Sequence, residues 1–468
     1  MENHKYSAFI NKEDTFMSNH LTTENKMGTM PVTPLLITMS FPIVISMLVQ
    51  AMYNIVDSYF VAKISEEALT AVSLAFPVQN LMISIAVGTG IGINALLSRN
   101  IGEKKFEQAN KVANNGLFLA VISYILTVIL GILLINFYFS AQTDIAEVIT
   151  DGTAYTKICT VFSLGLYIQI CCERLLQATG KTIHSMLVQA IGAITNIILD
   201  PILIFGLFGM PAMGIEGAAY ATVIGQSASA LLGIYLNITK NKEIGIKVKG
   251  FKPNLSIIKN IYSVGIPSIL MRSVSSITIF GMNNILLDFS STATAVMGIY
   301  YKLESFVVLP VFGINNAMIP IVAYNYGAKK KERIIKTIKV SVIFAVLIMG
   351  SGFLALFFMT EQILTIFNAS KNLMDIGVLA VKIISLHFIL AGICIVFSAV
   401  FQALGKGTYS LIISLIRQLV ILLPVAFLLS KTGELSSIWW AFPISEIIAI
   451  LLCVIFMVRV YKKQIKNL

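Results

Sequence analysis

The feature that most constrains this chain is the recurrence of long apolar stretches. About twelve follow one another, near residues 35–62, 69–98, 112–139, 153–178, 184–207, 216–238, 258–287, 292–325, 337–359, 376–402, 408–430 and 436–460. A helix needs roughly 20 apolar residues to cross the hydrocarbon of a bilayer. Inside lipid a spanning segment must satisfy its own backbone hydrogen bonds, so separate stretches of this length are read as helices. The expected fold is an all-α integral membrane protein with about 12 transmembrane helices.

Composition agrees, with 57% hydrophobic residues, 12% charged residues and a mean hydropathy of +0.84. A soluble domain carries about 25% charged residues. The net charge of +11 would otherwise suggest a nucleic-acid binder. Here the basic residues gather in short loops, so they report topology and no nucleic-acid partner is expected. Cys159, Cys171, Cys172, Cys394 and Cys453 lie in or beside apolar runs with no metal-binding spacing, and read as small buried hydrophobes.

Loop charge sets the orientation. Arg99, Lys104, Lys105 and Lys111 follow the second span; Lys240, Lys242, Lys247, Lys249 and Lys252 follow the sixth. Lys329, Lys330, Lys331, Arg333 and Lys336 follow the eighth, and Arg459, Lys462, Lys463 and Lys466 close the chain. The alternate loops are nearly free of basic residues. Both termini are therefore expected to be cytoplasmic. The divisions expected are a flexible tail over 1–33, a six-helix lobe over 34–240, a cytoplasmic linker over 241–257, a second lobe over 258–461 and a tail over 462–468.

The two lobes repeat one another. Gly102 in Asn-Ile-Gly matches Gly327 in Asn-Tyr-Gly, Gly180 in Gln-Ala-Thr-Gly-Lys matches Gly405 in Gln-Ala-Leu-Gly-Lys, and Pro42 matches Pro267, each at an offset of 225. A single offset at three distant points marks a duplicated six-helix unit. An even number of spans puts both copies in the same orientation. The lobes should then be related by a pseudo-two-fold axis along the membrane normal, with a cavity between them. That is a transporter architecture, although a fold alone does not name the cargo.

The lobes differ in chemistry. Asp57 in the first span has Met282 as its repeat mate, Asp200 in the fifth has Val425, and Asn196 has Ile421. Intramembrane acids are functional-site candidates by default. Asn196 and Asp200 are four residues apart and share a helical face. Pro201 lacks an N–H, so it frees the Ile197 carbonyl and is a candidate hinge. Two acids facing each other in a low dielectric cannot both stay ionised cheaply, which suits them to take up H+ or Na+. Tyr53, one turn before Asp57, and Thr222 in the sixth span offer further oxygens.

Other polar residues in the spans are Glu304 and Arg417, candidates for a substrate cavity, and Arg272, read as pairing with an acid or reaching the cytoplasmic edge. Glu173 and Arg174 are expected at the membrane interface. Gly88, Gly90 and Gly92 sit in an apolar span with no preceding strand, so they signal close helix packing and not a nucleotide loop.

Taken together, the duplicated halves, Tyr53-Asn54-Ile55-Val56-Asp57, the Asn100-Ile101-Gly102 loop, Gln177-Ala178-Thr179-Gly180, Asn196-Ile197-Ile198-Leu199-Asp200-Pro201 and Gly217-Ala218-Ala219 resemble the multidrug and toxic compound extrusion (MATE) antiporters, from about Pro34 to Tyr461. The placement of both Asp57 and Asp200 in the N-terminal half resembles the DinF-like bacterial branch. That resemblance implies a Na+ or H+ site at Asp57, Asn196, Asp200 and Thr222 with Tyr53 nearby, no further cofactor, and export of organic, mostly cationic, compounds such as drugs. The reading is a cation-coupled multidrug efflux antiporter of the plasma membrane, working by alternating access, functional as a monomer and not an enzyme. Two rivals are weighed. A flippase for a lipid-linked saccharide would want more basic residues inside the spans, whereas acids dominate the deep positions here. An intramembrane aspartyl protease would want a Gly-Xaa-Gly-Asp motif that neither Asp57 nor Asp200 has.

Overall fold

In the computed structural model, residues 24–246, 250–367 and 369–468 are described. Residues 1–23 of the expected tail, and Lys247 and Lys249 of the basic linker, fall outside them. Among the described residues ten helices are long and apolar enough to cross a membrane unaided. They are α1 (Val32–Val61), α2 (Glu66–Gly102), α3 (Phe106–Gln142), α5 (Thr182–Phe205), α6 (Gly214–Thr239), α7 (Leu255–Leu287), α8 (Ser291–Gly327), α9 (Lys331–Phe358), α11 (Gly407–Ser430) and α12 (Leu435–Ile465). The other two spans are bent pairs: α4 is Ala146–Val161 with Leu164–Ala178, bent by 49°, and α10 is Lys371–Ser385 with Phe388–Ala403, bent by 47°. The bends fall at matching points of the two lobes.

The duplication is visible in the backbone. Lys104 and Lys329 both have φ 57°, and Gly180 and Gly405 have φ 82° and 74°. Ser65 accepts a bond from Ala68 N at the start of α2, as Ser290 does from Ala293 N at the start of α8. Each pair is 225 residues apart. Side-chain oxygens that take up the free N–H groups of a helix start fix where it begins.

The lobes meet through α2, which packs along α7 and α8, and through α1 on α8. This contact is confined to the end that carries the basic loops. On α1 the buried residues run from Val32 to Ile43 and resume only at Val61. On α8 every residue from Ala317 to Asn325 is buried. The glycines explain the close approach. A Cβ at Gly92 would lie 3.0 Å from the Ile261 carbonyl carbon, and one at Gly88 would lie 2.9 Å from Ile269 N. Small residues let helices pack backbone against backbone where lipid supplies no hydrophobic drive. The lobes are thus closed at the basic-loop face and part toward the other.

One expectation needs correction. Residues 24–33 are not a free tail. Lys26–Thr29 form a turn of helix whose Met27 is fully buried, wedged between the lobes. Asn25 Nδ2 donates to Thr179 O of the N-terminal lobe, while Asn325 Nδ2 and Arg333 Nη2 of the C-terminal lobe both donate to Met27 O at 2.9 Å. Buried carbonyls that find such donors hold the chain in place. Over 462–468 most residues are exposed and Ile465 is buried at the end of α12. α5 carries Pro201 in its interior, continues to Phe205 and stops at left-handed Gly206, φ 72°.

Candidate functional site

The site begins on one face of α5. Asn196 and Asp200 are buried, and Asn196 Nδ2 donates to Asp200 Oδ1 at 3.2 Å. The same amide reaches Thr222 Oγ1 of α6 at 3.4 Å. Asp57 extends from α1 into Coulombic reach of Asp200, without a hydrogen bond between them. Tyr53 and Thr222 line both a small hollow beside Asn196 and a larger cavity of about 400 Å³ that holds Asp57. The five residues singled out from the sequence therefore converge.

Three oxygens of this cluster, Asp57 Oδ1, Asn196 Oδ1 and Asp200 Oδ2, are buried and have no hydrogen-bond partner. A buried polar atom without a partner is uncommon and costs about 1–3 kcal/mol. Three together, two of them on carboxylates, are an oxygen-rich nest that a small hard cation, or protons on the acids, would complete.

Sequence reasoning missed the surround. Gln79 Nε2 donates to Tyr155 OH at 3.2 Å on the wall of the Asp57 cavity, and Gln169 Nε2 bridges Glu173 and Gln189 near Asn196. The signal was available: glutamines inside apolar spans are as conspicuous as acids.

The second cavity, about 480 Å³, lies between the lobes. Arg417 lines it and pairs with Glu446 Oε2 at 3.3 Å. Glu304 is not on its wall; it sits behind Arg417, within Coulombic reach. Arg174 and Arg272 also line this cavity, so Arg174 is not interfacial and Arg272 neither pairs with an acid nor leaves for the surface. The cavity wall holds three arginines and no carboxylate. The expectation that acids dominate the deep positions holds in the N-terminal lobe and fails at the lobe interface. It failed because Arg174 lies close to a helix end in sequence yet turns inward, its Nη1 donating across the lobes to Asn316 Oδ1 at 3.1 Å.

The MatE family model matches residues 42–202 and 267–428, one block in each lobe and offset by the repeat length. The chain belongs to the MatE family. A multidrug export protein, MepA, of Staphylococcus haemolyticus is 26% identical over 408 residues, covering 87% of this chain and 89% of its own. An FAD transporter of Shewanella oneidensis is 26% identical over 429 residues, covering 90% and 94%. Among solved structures, an outward-facing multidrug resistance MATE family transporter of the MOP superfamily superposes with a TM-score of 0.87 at 25% identity, covering 96% of this chain and 99% of that one. This MatE chain is a multi-span membrane transporter and not an enzyme. With the family shown, the protease reading falls away.

Proposed function

We propose that this MatE protein is a cation-coupled exporter of small organic compounds at the plasma membrane, with both termini cytoplasmic and the monomer as the working unit. The observation that carries the coupling is the set of three unpartnered buried oxygens on Asp57, Asn196 and Asp200. One Na+, or protons on the two acids, satisfies them, with Thr222 and Tyr53 completing the surround. Filling the site removes negative charge from between α1, α5 and α6 and lets those helices pack differently. Emptying it on the other side reverses the change. Coupling requires that ion and cargo each bind the two states with different affinity.

The lobe arrangement supports alternating access: closed at the basic-loop face, parted at the other, with a cavity between. Relatives named for multidrug export and for FAD place several cargoes within reach of one fold. The mostly cationic cargo expected from the resemblance finds little support in the walls. Asp57 is the only acid lining either of the two large intramembrane cavities.

The test is efflux of a fluorescent compound from energised cells, wild type against Asp200→Asn, under a pH step or a Na+ step. The expected result is export by the wild type under one gradient, which names the ion, and loss of that export in the variant at equal membrane abundance. Export by Asp200→Asn equal to wild type under both gradients would overturn the assignment.

A further inference from the structure

We infer that the interlobe cavity of this transporter binds organic anions, with Arg174 and Arg272 as the residues that recognise the negative group. The inference rests on the transporter reading and adds the charge of its cargo. Arg417, the third arginine on the wall, already has an acid partner in Glu446. The other two make no ion pair among the described residues, although Glu173 lies within Coulombic reach of Arg174. Arg174 gives Nη1 to two neutral acceptors, Gln177 Oε1 at 2.9 Å and Asn316 Oδ1 at 3.1 Å, and its Nε is buried without a partner. Its neighbour Glu173 faces the N-terminal lobe, where Gln169 holds it. Arg272 is exposed to the cavity, makes no hydrogen bond or ion pair among the described residues, and stands within Coulombic reach of Arg174.

Two like charges held near each other inside a membrane protein are expensive, and such residues mark substrate pathways. A guanidinium presents a planar fork of donors suited to carboxylate or phosphate. The repeat sharpens the point. The mates of Arg174 and Arg272 are Ala399 and Met47, and both also lie on the cavity wall. The fold is content with an apolar side chain at each position, so neither arginine is needed to build the lobe. Phe312, Met271 and Ile279 supply an apolar wall beside the charges, and 480 Å³ lies within the range of drug-sized sites. The chemistry fits an amphipathic compound with an apolar body and an anionic group.

The test uses purified full-length protein and three fluorescent probes: neutral riboflavin, riboflavin 5′-phosphate, which differs by the phosphate alone, and the cation ethidium. Binding is read by anisotropy at low and high NaCl. Riboflavin 5′-phosphate is expected to bind about tenfold or more tightly than riboflavin, as one charge-assisted contact is worth roughly that factor. Arg272→Gln should remove most of this preference and Arg272→Lys should keep part of it; Arg272 makes no hydrogen bond or ion pair among the described residues for either change to break. Any other order of affinities, including no binding of the phosphate, overturns the inference. The same probes in liposomes under the active gradient separate it from ion coupling. Phosphate-selective binding with transport indifferent to Asp200→Asn would sink the coupling site and leave the anion site standing. Asp200-dependent movement of ethidium with no binding of the phosphate would do the reverse.

Discussion

Replacing Gly102 by alanine should prise the lobes apart at their closed face. Gly102 ends α2 and Gly327 ends α8, and the two helix ends cross there. A Cβ at Gly102 would lie 2.8 Å from the Tyr324 carbonyl carbon, closer still to its oxygen, and 3.1 Å from Ala328 N. Ordinary contact begins at 3.4 Å, so the opposing backbone must retreat by at least 0.6 Å. The neighbour is main chain on a fully buried stretch of α8 and has no rotamer with which to yield. Overpacking of this kind costs about 1–3 kcal/mol. The strain acts only when the face is closed, so it shifts the closed-to-open ratio by roughly 5–150-fold. The assay is thiol labelling of Ile261→Cys, a position on α7 buried at this face in the closed form, against a parent whose five native cysteines are all buried. Labelling should accelerate by a factor in that range, since rapid opening makes the rate track the open population. Gly298→Ala and Gly350→Ala are the controls, because nothing lies within 4 Å of either added Cβ. Labelling of Gly102→Ala within twofold of the controls would refute the argument that the crossing holds the face shut.

Two further outcomes follow from the packing. Arg333→Ala removes donors to Met27 O at 2.9 Å, Met30 O at 2.7 Å and Asn325 Oδ1 at 3.1 Å, so the Lys26–Thr29 wedge should loosen and protease cleavage there should accelerate at least tenfold; unchanged cleavage would show that Met27 alone holds the wedge. Glu446→Gln leaves Arg417 without its acid on a side chain 28% exposed, and should cost about 2 kcal/mol, read as a lower apparent Tm in detergent; Arg417→Met combined with Glu446→Leu should recover most of it, and failure to do so would mean the pair is not the source of the loss.

Much of this was legible in the residues. The span count and order and the repeat offset follow from apolar length and a fixed spacing, and Asp57, Asn196 and Asp200 stand out as polar groups in the wrong solvent; that they share one site with Thr222 is implied by the family resemblance alone. The misses have a common physical cause. A sequence gives depth along a helix but not direction around it in a bundle, so Arg174 and Glu173 read as interfacial although both turn inward, one toward each lobe. A polar stretch reads as a tail because lone carbonyls carry no sequence signal; what orders residues 24–30 is the presence of Asn325 and Arg333 some 300 positions away. The bends in α4 and α10 fall at Phe162-Ser163 and Leu386-His387, neither of which contains Gly or Pro.

The repeat separates what the fold requires from what the function requires. Where both copies keep a feature, as at the serine helix starts, the left-handed turns and the glycine crossing, the feature builds the lobe or closes the face. Where one copy departs, the departure has no structural excuse, because its mate shows that the fold does without it. Asp57 against Met282 and Asp200 against Val425 are such departures, and so are Arg174 against Ala399 and Arg272 against Met47. The acids collect inside one lobe and the arginines collect between the two. Acids in one lobe and arginines between the lobes suit the proposed exchange of a small cation for an organic anion, and a path of contacts joins the two sites: Asp57 is on α1, α1 lies on α8, and α8 carries Asn316, the acceptor that ties Arg174 across the cavity. On that chain of contacts, Asn316→Ala should weaken the link between ion and cargo while leaving the binding of each alone within a few-fold of wild type, and an unaltered ion-to-cargo ratio in liposomes would break the chain at that point.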